Sequence, residues 1–170
     1  SRFLMLPVVD THDGFFRSLR RTSITQRRRA RAIAHVAHDL AAQSVDRLPA
    51  VEIPVQTASF SGNIKEVEVA AADVRRAWDI GAGPVPDVVR ELEEHGTLVI
   101  RLPLDSGDVD AFSLPFPDRP VVVLGADKND RARSRFDAAH ELGHLVIHGD
   151  TVWGTTQVEL QAHGFAGAFL

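Results

Sequence analysis

Arg135-Phe-Asp-Ala-Ala-His-Glu-Leu-Gly-His-Leu-Val-Ile-His148 is the stretch on which the fold reading turns. Phe136, Ala139, Leu142, Leu145, Val146 and Ile147 supply apolar residues at helical spacing, and Asn129/Asp130 offer an N-terminal cap. The spacing predicts one long helix over residues 131–148, with an apolar setting on most sides. His140 and His144 are four residues apart, so they lie on one face, one turn from each other. A helix this apolar needs a sheet and further helices to cover it.

Outward from that helix, a polar turn at 126–130 precedes it, and three β-rich segments come before the turn. Residues 97–102 (TLVIRL) are bounded by Gly96 and Pro103. Residues 110–116 contain Pro115, which favours a sheet edge. Residues 119–124 end at Gly125. Together they predict a small antiparallel or mixed sheet. Three helices are expected upstream, at 24–46, 70–80 and 86–94, and one downstream at 156–170. On the first, Ile33, Val36, Ala37, Leu40 and Ala41 recur at helical spacing. The order is α+β: N-terminal helices, a three-stranded sheet, then two helices.

The chain has 170 residues, 44% hydrophobic and 25% charged, the balance of a soluble globular domain. No apolar run reaches the roughly 18–20 residues of a membrane span. There are eight histidines and no cysteine. Disulfides, thiolate zinc sites, iron–sulfur clusters and cysteine nucleophiles are therefore excluded. Any transition-metal site must use imidazole and carboxylate ligands. The absence of a targeting segment or cysteine predicts a cytoplasmic location. The chain is expected to continue naturally beyond both Ser1 and Leu170.

Net charge is −4, unevenly spread: residues 15–38 hold seven arginines and no acid, which leaves −11 on the remainder. Such a basic arm reads first as a solvated or docking face, and secondarily as a contact to nucleic acid. His12, His35, His38 and His95 lack metal spacing and read as surface or capping residues. Trp78 and Trp153 read as packing, with Trp153 placed to line a cleft.

His140-Glu-Leu-Gly-His144 is an HExxH motif, with a chance of arising at random of about 2% in a chain of this composition. Two imidazoles one turn apart can share a cation. Glu141 is placed to take a proton from a water activated by zinc and pass it to a leaving amine. A catalytic zinc needs a third protein ligand. Four residues compete: His148, Asp150, Glu159 and His163. Ligands at i, i+4 and i+8 run along a line, which disfavours His148. Asp150 would need a chain-turning glycine where Ile147 stands. Glu159 is favoured, because a carboxylate from the following helix gives a His₂Glu set.

The 135–148 block and Glu159-Leu-Gln-Ala-His-Gly-Phe-Ala166 together resemble the ImmA/IrrE family of bacterial metallopeptidases. The family pattern is RFxxAHELGHLxxH followed by ExxAxxFA, and the resemblance covers about residues 70–170. It implies a gluzincin-like two-helix core in which His140, His144 and Glu159 bind Zn²⁺ and Glu141 is the general base. His163 stands where the family often has Asn or Asp, and would support a ligand from behind. The family's Met-Pro after the last apolar pair is absent.

The resemblance further implies two regions. Residues 1–60 would be a basic helical segment linked to a helix-turn-helix regulator domain preceding Ser1, and residues 61–170 the metallopeptidase-like domain. Family members cleave helix-turn-helix repressors in transcription regulation and stress response. The expected partner is therefore a protein substrate, with DNA reached only through the preceding domain or the basic arm, and no membrane. A second expectation is a weakly hydrolytic or non-hydrolytic sensor domain of a transcription factor.

Overall fold

A computed structural model describes residues 24–43, 51, 53, 63–103, 111–126, 131–148 and 155–170. Asp150 and Trp153 lie outside the described residues, as do His12, residues 15–23 of the basic arm and residues 104–110.

Five helices and three strands follow in the predicted order: α1 (Ile24–Ala42), α2 (Ile64–Ala77), α3 (Val88–Glu94), β1 (Leu98–Leu102), β2 (Ala111–Leu114), β3 (Val121–Gly125), α4 (Arg131–Ile147) and α5 (Thr156–Phe169). The fold is α+β. The sheet is mixed, in the order β1-β3-β2. β1 runs parallel to β3, and β2 runs antiparallel to it with Phe112 opposite Val123 and Ser113 opposite Val122. β2 is thus an edge strand, and it stops before Pro115, which has no N–H to donate to a ladder.

Both faces of this small sheet are buried, and strand alternation divides them. Val122, Leu124 and Ala111 face a core built with α2, α3, α4 and α5. Val121, Val123, Phe112 and Leu114 face the other way, onto Ala30 and Ala34 of α1. The molecule is therefore layered, with α1 on one side of the sheet and the remaining helices on the other.

Two local readings are corrected. α2 begins at Ile64, six residues before the expected start. Asn63 caps it by accepting from the Lys65 N–H at 3.0 Å, a signal present in the sequence. The helix ends at Ala77, after which Asp79 adopts φ 52°. On α1, the apolar stripe is not the buried face: Val36 and Leu40 are 57% and 60% exposed, and the small Ala30 and Ala34 are buried. Alanines let the helix lie close to the sheet. Beyond them, His38 stacks on Phe116 with ring centroids 4.0 Å apart and meets Asp118 at 2.9 Å. His35 packs edge-on against the same Phe116. These two histidines dock α1 rather than simply facing solvent.

α5 is held from two sides. Arg75 of α2 donates to the Phe169 carbonyl at 2.5 Å. On the other side, Gly143 of α4 lets α5 approach closely. A Cβ at Gly143 would stand 3.0 Å from both Cβ and Cδ1 of Phe165, a residue that is fully buried. Because Phe165 Cβ is fixed to its backbone, a larger side chain at 143 would have to push the helices apart. Gly143→Leu is expected to lower the unfolding free energy by about 3 kcal/mol, read from the midpoint of chemical denaturation. An unchanged midpoint would show that this contact does not set the helix spacing.

Candidate metal centre

α4 carries three histidines on one face and Glu141 beside them, because 3.6 residues per turn brings i, i+4 and i+8 into one row. Arg135 at the start of the row anchors α4 to the loop before α3, donating to the Val85 carbonyl at 2.7 Å. His140 Nε2 and His144 Nε2 lie 3.1 Å apart. One ligand atom from each of His140, Glu141 and His144 falls within 4.8 Å of the others. α5 brings Glu159 Oε2 to 3.5 Å from His140 Nε2. The N-cap of α5, Thr155, accepts from the Val158 N–H at 3.3 Å and fixes that first turn.

These spacings suit one cation. Tetrahedral ligands at zinc bond lengths of 2.0–2.1 Å stand roughly 3.3 Å from one another. The His140–His144 and His140–Glu159 separations bracket that figure. Two imidazole nitrogens facing each other, with carboxylates alongside, form a nitrogen–oxygen donor set suited to such an ion.

The site's charges are shaped mainly by burial. The Glu141 carboxyl is almost fully enclosed, and burial pushes its pKa up to about 7. The attraction of His140 and a hydrogen bond donated by Ser113 Oγ to Glu141 Oε2, 2.7 Å long, hold it from rising further. His140 is also raised: burial alone would lower it, but its bond to Glu159 and the charges of Glu141, Glu159 and Asp137 outweigh that. His144 is held well below its ordinary value by burial, reinforced by His140 and His148. Burial likewise lowers His148, against the opposing pull of Gln161 and Glu159.

The sequence-predicted residues are placed as follows. His140, Glu141 and His144 converge, and Glu159 joins them through His140. His148 stands behind His144, its Nδ1 at 3.1 Å from His144 Nδ1 and its Nε2 at 2.9 Å from Gln161 Oε1. His163 packs edge-on against Phe136, and its ring centroid is 5.9 Å from that of His140.

Residues 92–170 match the Peptidase_M78 family, the IrrE N-terminal-like domain. The match agrees with the resemblance read from the HExxH and ExxA blocks. The M78-like region starts within α3 and takes in the sheet, α4 and α5, so it contains the whole His–Glu cluster. It supports a metallopeptidase-type activity, with a His-Glu-His group able to bind a metal ion. Comparisons with curated proteins and with solved structures returned no significant match. Among the described residues, no helix is long and apolar enough to cross a membrane.

Two residues of the M78-like site escaped the sequence reading. Ser113 was visible as the lone polar residue of a buried strand, and Gln161 lies two positions after Glu159. Neither carries a spacing signal. Both are brought in by tertiary packing, Ser113 by β2 lying against α4 and Gln161 by α5.

Ser113→Ala removes a hydrogen bond that favours the ionised carboxylate, so the Glu141 pKa should rise. The acid limb of a pH–rate profile is expected to move to higher pH by about 1 unit. A limb that stays in place would show that Ser113 does not tune Glu141.

Proposed function

We propose that this chain contains a zinc-dependent endopeptidase domain that hydrolyses a peptide bond in a protein substrate. The observation that carries the reading is the convergence of His140, Glu141 and His144 within the M78-like region, with Glu159 Oε2 at 3.5 Å from His140 Nε2. His140 and His144 through Nε2, and Glu159 through its carboxylate, would hold the ion. When bound, zinc supplies Lewis acidity and brings the pKa of coordinated water to about 7.

The remaining chemistry falls to the chain itself. In the metal-free fold burial pushes the Glu141 carboxyl up to about 7, and a cation held beside it would draw it back toward the ionised form that takes a proton. Ser113 Oγ holds Oε2, leaving Oε1 to accept a proton from the attacking water. The same carboxylic acid then delivers that proton to the departing amine nitrogen, and a carboxylate is regenerated. Burial of Glu141, together with its position on a rigid helix, keeps the base in one orientation.

A helix-turn-helix repressor in the bacterial cytoplasm is the substrate class we favour, on the family resemblance. Contact with DNA would come through a regulator domain or the basic arm. The test incubates the zinc-loaded full-length protein with repressors encoded beside its gene and follows them by mass spectrometry. Cleavage at a defined bond, abolished by chelation and by Glu141→Gln, supports the endopeptidase. Intact repressors, or equal cleavage by the variant, would leave the sensor domain as the better reading.

A further inference from the structure

We propose that His148 and Gln161 form a hydrogen-bonded pair that fixes the tautomer of His144, so that its Nε2 lone pair faces the metal position. His148 is thereby a positioning residue and not a ligand. The inference rests on the metal-site reading above and gives that site a direction.

Direction begins at Gln161. Its Oε1 lies 2.9 Å from His148 Nε2, and an amide oxygen only accepts. His148 Nε2 therefore carries the proton and donates it. In a neutral imidazole the other nitrogen is an acceptor, so His148 Nδ1 receives a bond from His144 Nδ1 across 3.1 Å. His144 then carries its own proton on Nδ1, and Nε2 is left as a lone pair. That lone pair faces His140 Nε2 at 3.1 Å, the side on which the ligand atoms gather.

The Gln161–His148 and His148–His144 contacts each pair one donor with one acceptor, and reversing either one alone leaves two donors or two acceptors face to face. The row is enclosed: His144 is 1% exposed, His148 5% and Gln161 8%. Water competes little for these nitrogens, so the protein contacts decide the tautomer. α5 contributes to both ends of the site, Glu159 beside His140 and Gln161 behind His148. Without His148, the proton of His144 would be free to sit on Nε2, where it blocks ligation.

The test uses full-length His148→Phe, which keeps a flat ring without polar atoms, and His148→Gln, which keeps one donor and one acceptor. Zinc affinity is measured by chelator competition. The His144 tautomer is read in zinc-free protein from imidazole ¹⁵N shifts. The wild type should show the proton on His144 Nδ1. His148→Phe should bind zinc about 10–100-fold more weakly and move proton population to Nε2. His148→Gln should recover affinity to within a few-fold. If His148→Phe fails to fold, Gln161→Leu tests the same row from its far end and should weaken zinc in the same way. A wild-type His144 protonated on Nε2, or unchanged zinc affinity in both His148→Phe and Gln161→Leu, would overturn the proposal. A wild type that binds no zinc would instead defeat the metal reading, and the ¹⁵N shifts would still decide the tautomer.

Discussion

Glu141→Gln is expected to lower peptide hydrolysis by about 10²–10⁴-fold while leaving zinc affinity within a few-fold of wild type. An amide of the same shape fills the same buried space and can still accept from Ser113, but it cannot take a proton and return it. The ligand atoms of His140, His144 and Glu159 are untouched. The variant also has a signature without any substrate. The Glu141 pKa is about 7 in the fold against an ordinary 4.5, so the fold favours the protonated form. Below about pH 4.5 the group is neutral in both states and its ionisation costs nothing. Between about pH 4.5 and 7 the unfolded chain ionises while the buried carboxyl stays protonated, so the metal-free wild type progressively loses stability relative to Glu141→Gln, and the loss levels off above about 7. The gap should reach at most about 3 kcal/mol by pH 8. That figure is a ceiling, because the charge on Glu141 favours protonation of His140 and recovers part of it. Denaturation curves of the two zinc-free proteins from pH 4 to 8 provide the check. A gap that stays flat would mean that burial does not govern this carboxyl.

Saturating zinc is expected to raise the thermal midpoint by about 10 °C. An ion at a thousand times its dissociation constant stabilises the fold by about 4 kcal/mol, and each kcal/mol moves the midpoint of a chain this size by about 2–4 °C. The gain arises because the ion ties α4 to α5 through side chains whose own attraction is modest. His144→Ala and Glu159→Ala should each remove most of the shift, and a chelator should reverse it. Magnesium and calcium should give little, since imidazole nitrogens suit them poorly. No shift with zinc would dismiss the metal centre. A full shift in Glu159→Ala would dismiss Glu159 alone and keep the histidine pair.

What was legible in the sequence was whatever one helix determines by itself. The row His140, Glu141 and His144 is fixed by the pitch of α4, so spacing alone could place it. Glu159 was within reach because it lies in the first turn of the next helix. The reading of α1 went wrong where tertiary packing decides. Val36 and Leu40 made the more apolar stripe, yet the sheet accepts the flatter face of Ala30 and Ala34, pinned by His35 and His38 around Phe116. Local composition does not register close approach. The parallel pairing of β1 with β3 was hidden for a related reason: sequence order does not show that β3 lies between its two predecessors. His148 competes as a ligand on spacing alone, and only the fold shows its nitrogens directed at His144 and Gln161.

The four residues of β2 alternate between two very different neighbourhoods. Phe112 and Leu114 enter the layer beneath α1, and Ala111 belongs to the opposite core. On that opposite side Ser113 reaches Glu141. A slip of one residue along β3 would exchange the two sets, pressing a phenyl ring against the buried carboxyl and turning the hydroxyl into hydrocarbon. Strand registration and proton chemistry are therefore proofread by the same event. A chain that paired its edge strand wrongly would lose the hydrogen bond to Glu141 together with its core.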